Sequence, residues 1–426
     1  MNVVVATDFA YVNGGAGRIA LESAAGLARR GHRVILFTAV GHPSAELRAL
    51  PGVEHVSLEQ QDVWRDPNVV RAAARGLWNW TASRRLGEVL ADLDPRDTIV
   101  HVHSWSKALS SSIVRATTSR GVAIVATLHD FLSVCPTGTL FDHRTSTACR
   151  LRPMSVACMA ANCDSRSYAQ KLWRITRQAV QARPGRLPGG IRHFITVSDA
   201  SADTLGPLLP AGATLHRVDN FTDVAKGPPA DVERNRSIVY VGRLSPEKGP
   251  LLLASCLATL KLPGVFVGDG ELAAAIQACY PSAELAGWLA PDAVLQRMRE
   301  ARALVLPSLW YETQGLVVAE AAANGVPSIV PDTSAARDWV SDGVTGLWFR
   351  CGDEVSLRAA ITRVMDSPEL AASFGRAAYE RFWASPPTLD RHLVHLERVY
   401  GTVIQTALHL DAEGQPAASV VAEGSC

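Results

Sequence analysis

Two successive series of strand and helix signals constrain the fold of this chain more than any other feature. In the first series, short β-branched and apolar runs begin at Val3 and recur up to Val197, with helical segments between them. The same alternation starts again at Ile238 and continues to Phe349. Strands separated by helices of this length form βαβ units and therefore parallel sheets. The sequence thus predicts an α/β protein with two doubly wound domains that face a central cleft.

The chain has 426 residues, more than one compact core usually holds. We place the first domain at 1–215, with a cysteine-containing insertion at about 131–190, and the second domain at 216–385. A helix at 386–410 is expected to cross back to the first domain, followed by a flexible tail at 411–426. The predicted strands are Val3–Ala6, Val34–Phe37, Thr98–His103, Ala123–Leu128, His193–Val197, Ile238–Val241, Val265–Val267, Ala283–Leu285, Ala303–Leu306, Ser328–Val330 and Gly346–Phe349. The predicted helices include Arg18–Arg30, Ser106–Arg120, Pro250–Thr259, Asp292–Glu300, Leu316–Asn324 and Val355–Asp366.

Composition is that of a globular protein, with 47% hydrophobic and 19% charged residues. The first residues lack a cleavage-site pattern and predict a buried strand rather than a signal peptide, which favours the cytoplasm. Net charge is +1, but it is +8 up to Leu215 and −7 beyond it. Such asymmetry is typical either of contact with an anionic surface, such as a membrane, or of attraction between the two halves. Both interpretations stay open.

Two glutamates, Glu312 and Glu320, lie where a predicted strand passes through a turn into a helix. Open α/β sheets bind ligands at this position, and free helix N–H groups there attract phosphate or polar oxygens. A carboxylate accepts hydrogen bonds from hydroxyl pairs, such as those of a ribose and a hexose. The alternative is an ordinary βα unit with two solvated acids.

A second motif, Gly242 to Gly249, follows another predicted strand directly. Arg243 and Lys248 bring two cations to the mouth of the same crevice, and both side-chain types suit a diphosphate. Together with the two glutamates, this motif predicts one site for a sugar nucleotide. A surface turn with two solvated cations is the alternative.

Glycines follow the first predicted strand. The loop that contains Gly14 and Gly15 lacks the spacing of a dinucleotide fingerprint, and the second strand does not end in an acidic residue. We therefore expect its backbone N–H groups to approach a phosphate or an acceptor from the opposite side of the cleft.

His103 and His129 end two further predicted strands, so both are expected to point into the cleft. Asp130 follows His129, and Trp105 lies close to His103. Trp105 suits either a sugar-stacking platform or core packing.

The segment after Asp130 contains Cys135, Cys149, Cys158 and Cys163. Four thiolates can hold a structural zinc, and free thiols or disulfides are the alternatives. The next segment, 166–183, predicts a basic helix that contains Lys171, Arg174 and Arg177. Such a helix suits an anionic lipid or acceptor, or else a solvated face.

The spacing Glu312-x7-Glu320, together with Gly242-Arg243 and Lys248-Gly249, resembles the retaining glycosyltransferases of the GT-B fold, specifically glycosyltransferase family 4. The likeness extends from the glycine loop to about Tyr400 and implies two Rossmann-like domains. It also implies a nucleoside-diphosphate sugar as donor and no metal requirement for catalysis. The family usually has Gly-Phe-Gly after the first glutamate, whereas this chain has Thr313-Gln314-Gly315, which leaves the identity of the donor sugar open.

The motifs and the resemblance together give each candidate residue an expected role. Arg243 and Lys248 are expected to bind the diphosphate, Glu320 the ribose, and Glu312 and His129 the donor sugar. The expected catalytic residues are His129, Arg243, Lys248 and Glu312. Donor binding is expected from Gly14, Gly15, Gly242, Arg243, Lys248, Glu312, Gln314, Gly315, Leu316 and Glu320, and the acceptor-side candidates are His103, Trp105 and Asp130.

The implied reaction moves a hexose from a nucleoside-diphosphate sugar to an acceptor hydroxyl or another nucleophile, with retention of anomeric configuration. A glycan, a lipid-linked intermediate and a small natural product are all open as acceptors. Peripheral contact with an anionic membrane is also open, and no nucleic-acid partner is expected. The alternatives are a nucleotide-sugar-binding protein with weak activity, and an epimerase or phosphorylase of GT-B fold.

Overall fold

The computed structural model describes residues 1–414. Within this range, the first half of the chain forms a seven-stranded parallel sheet and a two-stranded antiparallel hairpin. The sheet order is β3-β2-β1-β4-β5-β8-β9, and β6 pairs with β7 in the hairpin. The strands are β1 Asn2–Phe9, β2 Arg33–Val40, β3 Val53–Ser57, β4 Thr98–Val102, β5 Ala123–Thr127, β6 Phe141–Asp142, β7 Thr147–Ala148, β8 His193–Thr196 and β9 Thr214–Arg217.

The second half forms a six-stranded parallel sheet in the order β12-β11-β10-β13-β14-β15. In both sheets the strand order reverses beside the first strand of the half, which creates the crevice where doubly wound sheets bind ligands. The strands are β10 Ser237–Val241, β11 Gly264–Val267, β12 Glu284–Gly287, β13 Ala301–Val305, β14 Ser328–Pro331 and β15 Gly346–Phe349. The predicted α/β class with two doubly wound, Rossmann-like units is confirmed.

Helices cover both faces of each sheet, and their apolar sides pack on β-branched strand residues. In the first half they are α1 Gly15–Arg29, α2 Ala45–Ala49, α3 Val69–Leu77, α4 Trp80–Ala91, α5 Ser112–Thr118, α6 Val156–Ala160, α7 Tyr168–Ala182 and α8 Asp199–Leu205. In the second half they are α9 Pro250–Leu260, α10 Ala273–Cys279, α11 Pro291–Arg299, α12 Leu316–Ala323, α13 Glu354–Asp366, α14 Pro368–Ala384 and α15 Leu389–Gly414. None of the helices within residues 1–414 is both long enough and apolar enough to cross a bilayer.

The helix predicted at Ser106–Arg120 is shorter in the structure and starts only at Ser112. Asp8, buried at the end of β1, explains the difference. Its carboxylate accepts hydrogen bonds from the backbone N–H groups of Lys107, Ala108 and Leu109 at 2.9 Å each. Because these N–H groups are bound by a side chain of another strand, this segment forms a loop instead of a helical turn.

The basic helix predicted at 166–183 exists as α7, but its cations face inward. Lys171 is fully buried and Arg177 is 6% exposed. This corrects the expectation that the cations of this helix meet solvent or an anionic partner. The buried polar face of α7 binds carbonyl oxygens of the loop after β5, through Arg174 to Thr137, Arg177 to Pro136, Gln178 to Ser133 and Gln181 to Leu132.

The last helix, α15, packs on the first sheet, where Leu396 and Tyr400 join the cluster formed by β1 and α1. The chain therefore passes between the two halves twice, near Asn220 and near Pro387. The two passages contact each other, because the Thr222 N–H donates to the Pro387 carbonyl at 3.0 Å. The predicted tail at 411–426 lies outside the described residues except for 411–414, which belong to α15. We keep the domain limits 1–215 and 216–385 as an interpretation.

Candidate active site

Two loops of the second sheet meet at the crevice, and Gly249 permits their contact. One loop follows β10 and the other follows β13. Gly249 has φ +66°, and a Cβ atom there would lie 2.1 Å from the Pro307 carbonyl oxygen. The Leu309 N–H donates to the Glu247 carbonyl at 2.9 Å and fixes the same contact. Only glycine combines this backbone conformation with so close an approach.

This contact joins Lys248 of the first loop to Glu312 of the second. Lys248 Nζ donates to Glu312 Oε1 at 2.6 Å, and Ser308 Oγ donates to the same oxygen at 2.6 Å. The ammonium also lies 4.8 Å from the ring centre of Trp310. Burial raises the pKa of Glu312, but the charge and hydrogen bond of Lys248 outweigh it and hold the pKa below its ordinary value. Glu312 is therefore an anion at neutral pH.

Glu320 lies one helical turn into α12 and is surrounded differently. Burial raises the pKa of its carboxyl to about 7, and the charge of Arg18 on α1 opposes that rise. Arg18 lies across the crevice, in the helix that starts at Gly15, and also forms an ion pair with Glu22 at 2.7 Å. The motifs did not single out Arg18, because a lone arginine in an amphipathic helix has no distinguishing sequence pattern.

The glycine loop of the first half is exposed at the start of α1. Gly14 has φ +90°, and a Cβ atom at Gly14 or Gly15 would meet no atom within 4 Å. Both residues therefore leave open space at the helix N-terminus. Arg243 of the second half is exposed as well and lines a cavity of about 340 Å³ between the cysteine-containing segment and the β10 loop.

His129 is half-buried at the end of β5, and its ring is bound by His103. His129 Nε2 lies 3.0 Å from His103 Nδ1, with the rings stacked at 5.3 Å. Burial lowers the pKa of His129 to about 3 and that of His103 well below its ordinary value, so both rings are neutral. The expectation that both histidines face the cleft is wrong for His103, which is 3% exposed and lies behind His129.

The hydrogen bonds available to these two rings favour one tautomer of His129. His103 Nε2 is buried without a partner among the described residues. If His129 donated to His103, this unpartnered nitrogen would carry a hydrogen, and buried N–H groups without acceptors are rare. The arrangement that avoids this has His103 donating to Nε2 of His129. His129 then carries its hydrogen on Nδ1.

A third histidine, His101, supports the pair from within the core. Its ring centre lies 3.9 Å from that of His103. Its two nitrogens are bound by Tyr400 of α15 at 2.6 Å and by Thr127 at 2.7 Å. Both ring nitrogens of His101 are hydrogen-bonded, so its ring is a fixed surface on which the ring of His103 packs.

The other two acceptor-side candidates lie in different environments. Trp105 is 4% exposed, and its Nε1 donates to Gln181 of α7 at 3.2 Å. Trp105 therefore packs in the core of the first half, in agreement with the core-packing alternative. Asp130 is half-buried beside His129, and burial raises the pKa of its carboxyl to about 6.

Two of the four clustered cysteines contact the ammonium group of Lys171. Lys171 Nζ lies 3.0 Å from Cys163 Sγ and 3.9 Å from Cys158 Sγ. Cys135, Cys149, Cys158 and Cys163 are free thiols in the structure. Within residues 1–414, no three histidine, cysteine or carboxylate side chains are arranged to hold a metal ion. The zinc interpretation therefore has no support from this geometry.

Two family models together cover almost all of the chain. The model described as Glycosyltransferase Family 4 matches residues 13–226, which is half of the chain. The chain belongs to glycosyltransferase family 4. The model described as Glycosyl transferases group 1 matches residues 224–381 of the same glycosyltransferase. The two matches meet at the passage between the two sheets.

Relatives of this glycosyltransferase match it over different lengths. A GDP-mannose-dependent alpha-mannosyltransferase of Mycolicibacterium smegmatis is 35% identical over 164 residues, which are 38% of this chain and 43% of that protein. The chain thus spans less than half of that relative. A glycogen synthase of Mycobacterium tuberculosis is 25% identical over 396 residues, or 87% of each chain.

Solved structures confirm the GT-B fold. Sucrose-phosphate synthase from Thermosynechococcus elongatus superimposes with a TM-score of 0.67 at 15% identity, covering 95% of this chain and 99% of that one. Anabaena HepE in complex with UDP-glucose gives a TM-score of 0.60 at 15% identity, covering 97% and 100%. At this level of identity the likeness concerns the fold alone.

Proposed function

We propose that this glycosyltransferase transfers a hexose from a nucleoside-diphosphate sugar to an acceptor nucleophile, with retention of anomeric configuration. One observation carries the proposal. The ion pair of Lys248 and Glu312 lies next to His129 of the opposite half, because the Thr313 hydroxyl donates to the His129 carbonyl at 3.3 Å. A cation for a phosphate, an acceptor for a hydroxyl and a neutral imidazole on adjoining segments support one shared site.

The donor would extend along the second half, with its sugar pointing toward the first. Arg243 and Lys248 would bind the diphosphate, and the carboxylate of Glu320 would accept hydrogen bonds from the ribose. The free N–H groups at the start of α12, from Gly315 onward, suit a phosphate or a sugar hydroxyl. The GDP-mannose-dependent relative named above supports a nucleoside-diphosphate hexose as the donor class.

The chemistry would need positive charge where the leaving group forms. The bond between the anomeric carbon and the phosphate oxygen breaks, and the acceptor oxygen bonds to the same face of that carbon. The acceptor proton passes to the leaving phosphate oxygen. Arg243 and Lys248 would stabilise the charge that develops on the diphosphate, the kind of fixed electrostatic contribution that dominates many enzymatic rates. His129 would support the sugar with its Nδ1–H group.

The acceptor site would lie on the first half, beside Asp130 and the exposed glycines at the start of α1. A half-buried carboxyl with a pKa of about 6 is a suitable hydrogen-bond acceptor for a nucleophilic hydroxyl. A glycan, a lipid-linked intermediate and a small natural product each present such a hydroxyl.

A thermal-shift screen against nucleoside diphosphates, followed by product analysis with labelled donors, tests the proposal. The correct nucleotide should raise the melting temperature, because ligand binding stabilises the folded state by mass action. Transfer of label to a new molecule separates a transferase from an epimerase, which returns a nucleotide sugar. A nucleotide-binding protein without activity would give the shift but no turnover.

Metal analysis of the purified chain would decide between zinc and free thiols at the cysteine cluster.

We also propose a peripheral contact with an anionic membrane through α3 and α4. The cations of α7, the helix that the sequence suggested for such a contact, face the interior. Val69 and Val70 at the start of α3 are 76% and 80% exposed, and Trp80 at the start of α4 is 77% exposed. Arg84 follows on α4 with its side chain 78% exposed. Exposed apolar residues beside cations are typical of interfacial helices. Co-sedimentation with vesicles should be stronger for phosphatidylglycerol than for phosphatidylcholine, and Val70→Asp should weaken it.

A further inference from the structure

The two residues at which this chain departs from the family pattern are Thr313 and Gln314. Thr313 hydrogen-bonds to the first half of the chain, and Gln314 hydrogen-bonds to the connection between the halves. The Thr313 hydroxyl donates to the His129 carbonyl at 3.3 Å. The Gln314 side-chain oxygen accepts from Asn220 Nδ2 at 2.6 Å, in a pair where both residues are buried. The Gly-Phe-Gly pattern has glycine in place of Thr313 and phenylalanine in place of Gln314, and neither side chain could form these hydrogen bonds.

The backbone of the same two residues is fixed as well. Ser198 Oγ, at the end of β8, donates to the Thr313 carbonyl at 2.6 Å. Trp339 Nε1 donates to the Gln314 carbonyl at 3.2 Å. Gln314 Nε2 also donates to the Asn220 carbonyl at 3.5 Å, so five hydrogen bonds from four segments converge on two consecutive residues.

The residue before them, Glu312, has φ +40°, a conformation that non-glycine residues adopt only when their surroundings impose it. Packing does not supply the whole constraint, because Ser198 and Gln314 line a cavity of about 350 Å³ behind the loop. Lys248 and Ser308 bind the Glu312 carboxylate, and the hydrogen bonds of Thr313 and Gln314 fix the backbone that follows it.

We propose that Thr313 and Gln314 are positioning residues that couple closure of the two halves to the placement of Glu312 opposite His129. This inference rests on the proposed transfer reaction. In the closed arrangement, Thr313 binds the backbone of the residue that supports the donor sugar, while its neighbour Glu312 binds Lys248. Opening the cleft breaks the Thr313–His129 bond and releases the strained backbone. A donor bound in the open arrangement would then contact a displaced Glu312 and would be more exposed to water.

Thr313→Val removes one hydroxyl while keeping the shape of the side chain, so it tests the coupling directly. We expect kcat for transfer to fall on the order of tenfold, with a smaller change in donor KM, because the loss is in orientation more than in donor contact. We also expect a larger fraction of donor to be hydrolysed by water. Thr313→Ser should restore the wild-type ratio of transfer to hydrolysis. Thr204→Val on α8 is the matched control and should leave both rates unchanged.

A double-mutant cycle with Asn220→Leu and Gln314→Met examines the second contact and serves if Thr313→Val folds poorly. Residues in direct contact show non-additive effects. The fold-loss of transfer rate in the double variant should therefore be smaller than the product of the fold-losses in the two single variants. Additive effects, or an unchanged ratio of transfer to hydrolysis in Thr313→Val, would overturn the inference. A wild-type chain that neither transfers nor hydrolyses any nucleotide sugar would instead overturn the proposed function.

Discussion

Lys248 Nζ lies 2.6 Å from Glu312 Oε1, and their side chains are only 18% and 7% exposed. The cation proposed for the diphosphate and the carboxylate proposed for the sugar are thus partners before any ligand arrives. A buried ion pair contributes little net stability, but the removal of one partner leaves an uncompensated charge that costs about 3–5 kcal/mol. The pair therefore links donor binding to the integrity of the site.

Lys248→Ala should lower kcat for transfer by roughly two orders of magnitude or more, because a fixed charge beside the leaving group is lost. The same change should lower the melting temperature, since the Glu312 carboxylate then lies buried without its cation. Steady-state kinetics and thermal unfolding measure the two effects separately.

The double variant Lys248→Ala/Glu312→Gln is the control for this experiment. It should recover much of the stability without recovering the rate, because glutamine removes the uncompensated charge but does not replace the cation. Near-normal turnover by Lys248→Ala would contradict the proposed role of Lys248.

Donor affinity should increase as pH rises through about 7. Burial raises the pKa of Glu320 to about 7, and its ionised form is the better acceptor for ribose hydroxyls. Donor KM should therefore be about tenfold higher at pH 6 than at pH 8. Glu320→Gln should bind donor more weakly at high pH and lose this dependence. An unchanged pH profile in that variant would assign the titration to another group.

His103→Phe should lower kcat on the order of tenfold while changing donor KM little, because the ring of His129 loses the donor that selects its tautomer. Nitrogen NMR of the histidine rings should show the hydrogen of His129 on Nδ1 in the wild type and a mixture in the variant. His103→Asn, which keeps an amide N–H near the position of Nδ1, should restore most of the rate. A wild-type His129 with its hydrogen on Nε2 would contradict the assignment.

Gly249→Ala should destabilise the protein more than Gly343→Ala, although both glycines have positive φ. A Cβ atom at Gly343 would meet no atom within 4 Å, so that variant incurs only the backbone strain of about 1–2 kcal/mol. At Gly249 the added atom would also collide with the Pro307 carbonyl and separate Lys248 from Glu312. Thermal unfolding and donor titration should therefore show weakened binding only for Gly249→Ala. Equal stability of the two variants would contradict this account.

The α/β class with two doubly wound sheets could be predicted because it depends on local patterns. Glu312 and Lys248 each follow a short apolar run, and the carboxyl ends of parallel strands meet at one edge of a sheet. Their contact follows from that edge, together with a glycine that permits two loops to touch. The same reasoning predicts His129 at the cleft.

What the sequence did not reveal depends on contacts between distant segments. His103 ends a strand as His129 does, yet it is covered by His129, and Trp105 is covered by α7. Thr313 and Gln314 stand out in the sequence only as departures from a pattern. Their hydrogen-bond partners lie in distant segments, in the first half for Thr313 and at Asn220 and Trp339 for Gln314. Arginines of α7 face inward because they donate hydrogen bonds to carbonyl oxygens of the 132–137 loop. The sequence pattern of a helix does not indicate such contacts with a distant loop.

The return of α15 to the first sheet gives the molecule a two-point attachment between its lobes. The two connecting segments are joined by the hydrogen bond from the Thr222 N–H to the Pro387 carbonyl, so we expect them to move together. We expect relative movement of the lobes to be a hinge motion at this double connection, which lies beside Asn220. Each closing movement would then return the lobes to the same relative position, so that a crevice assembled from both lobes can form again in every catalytic cycle.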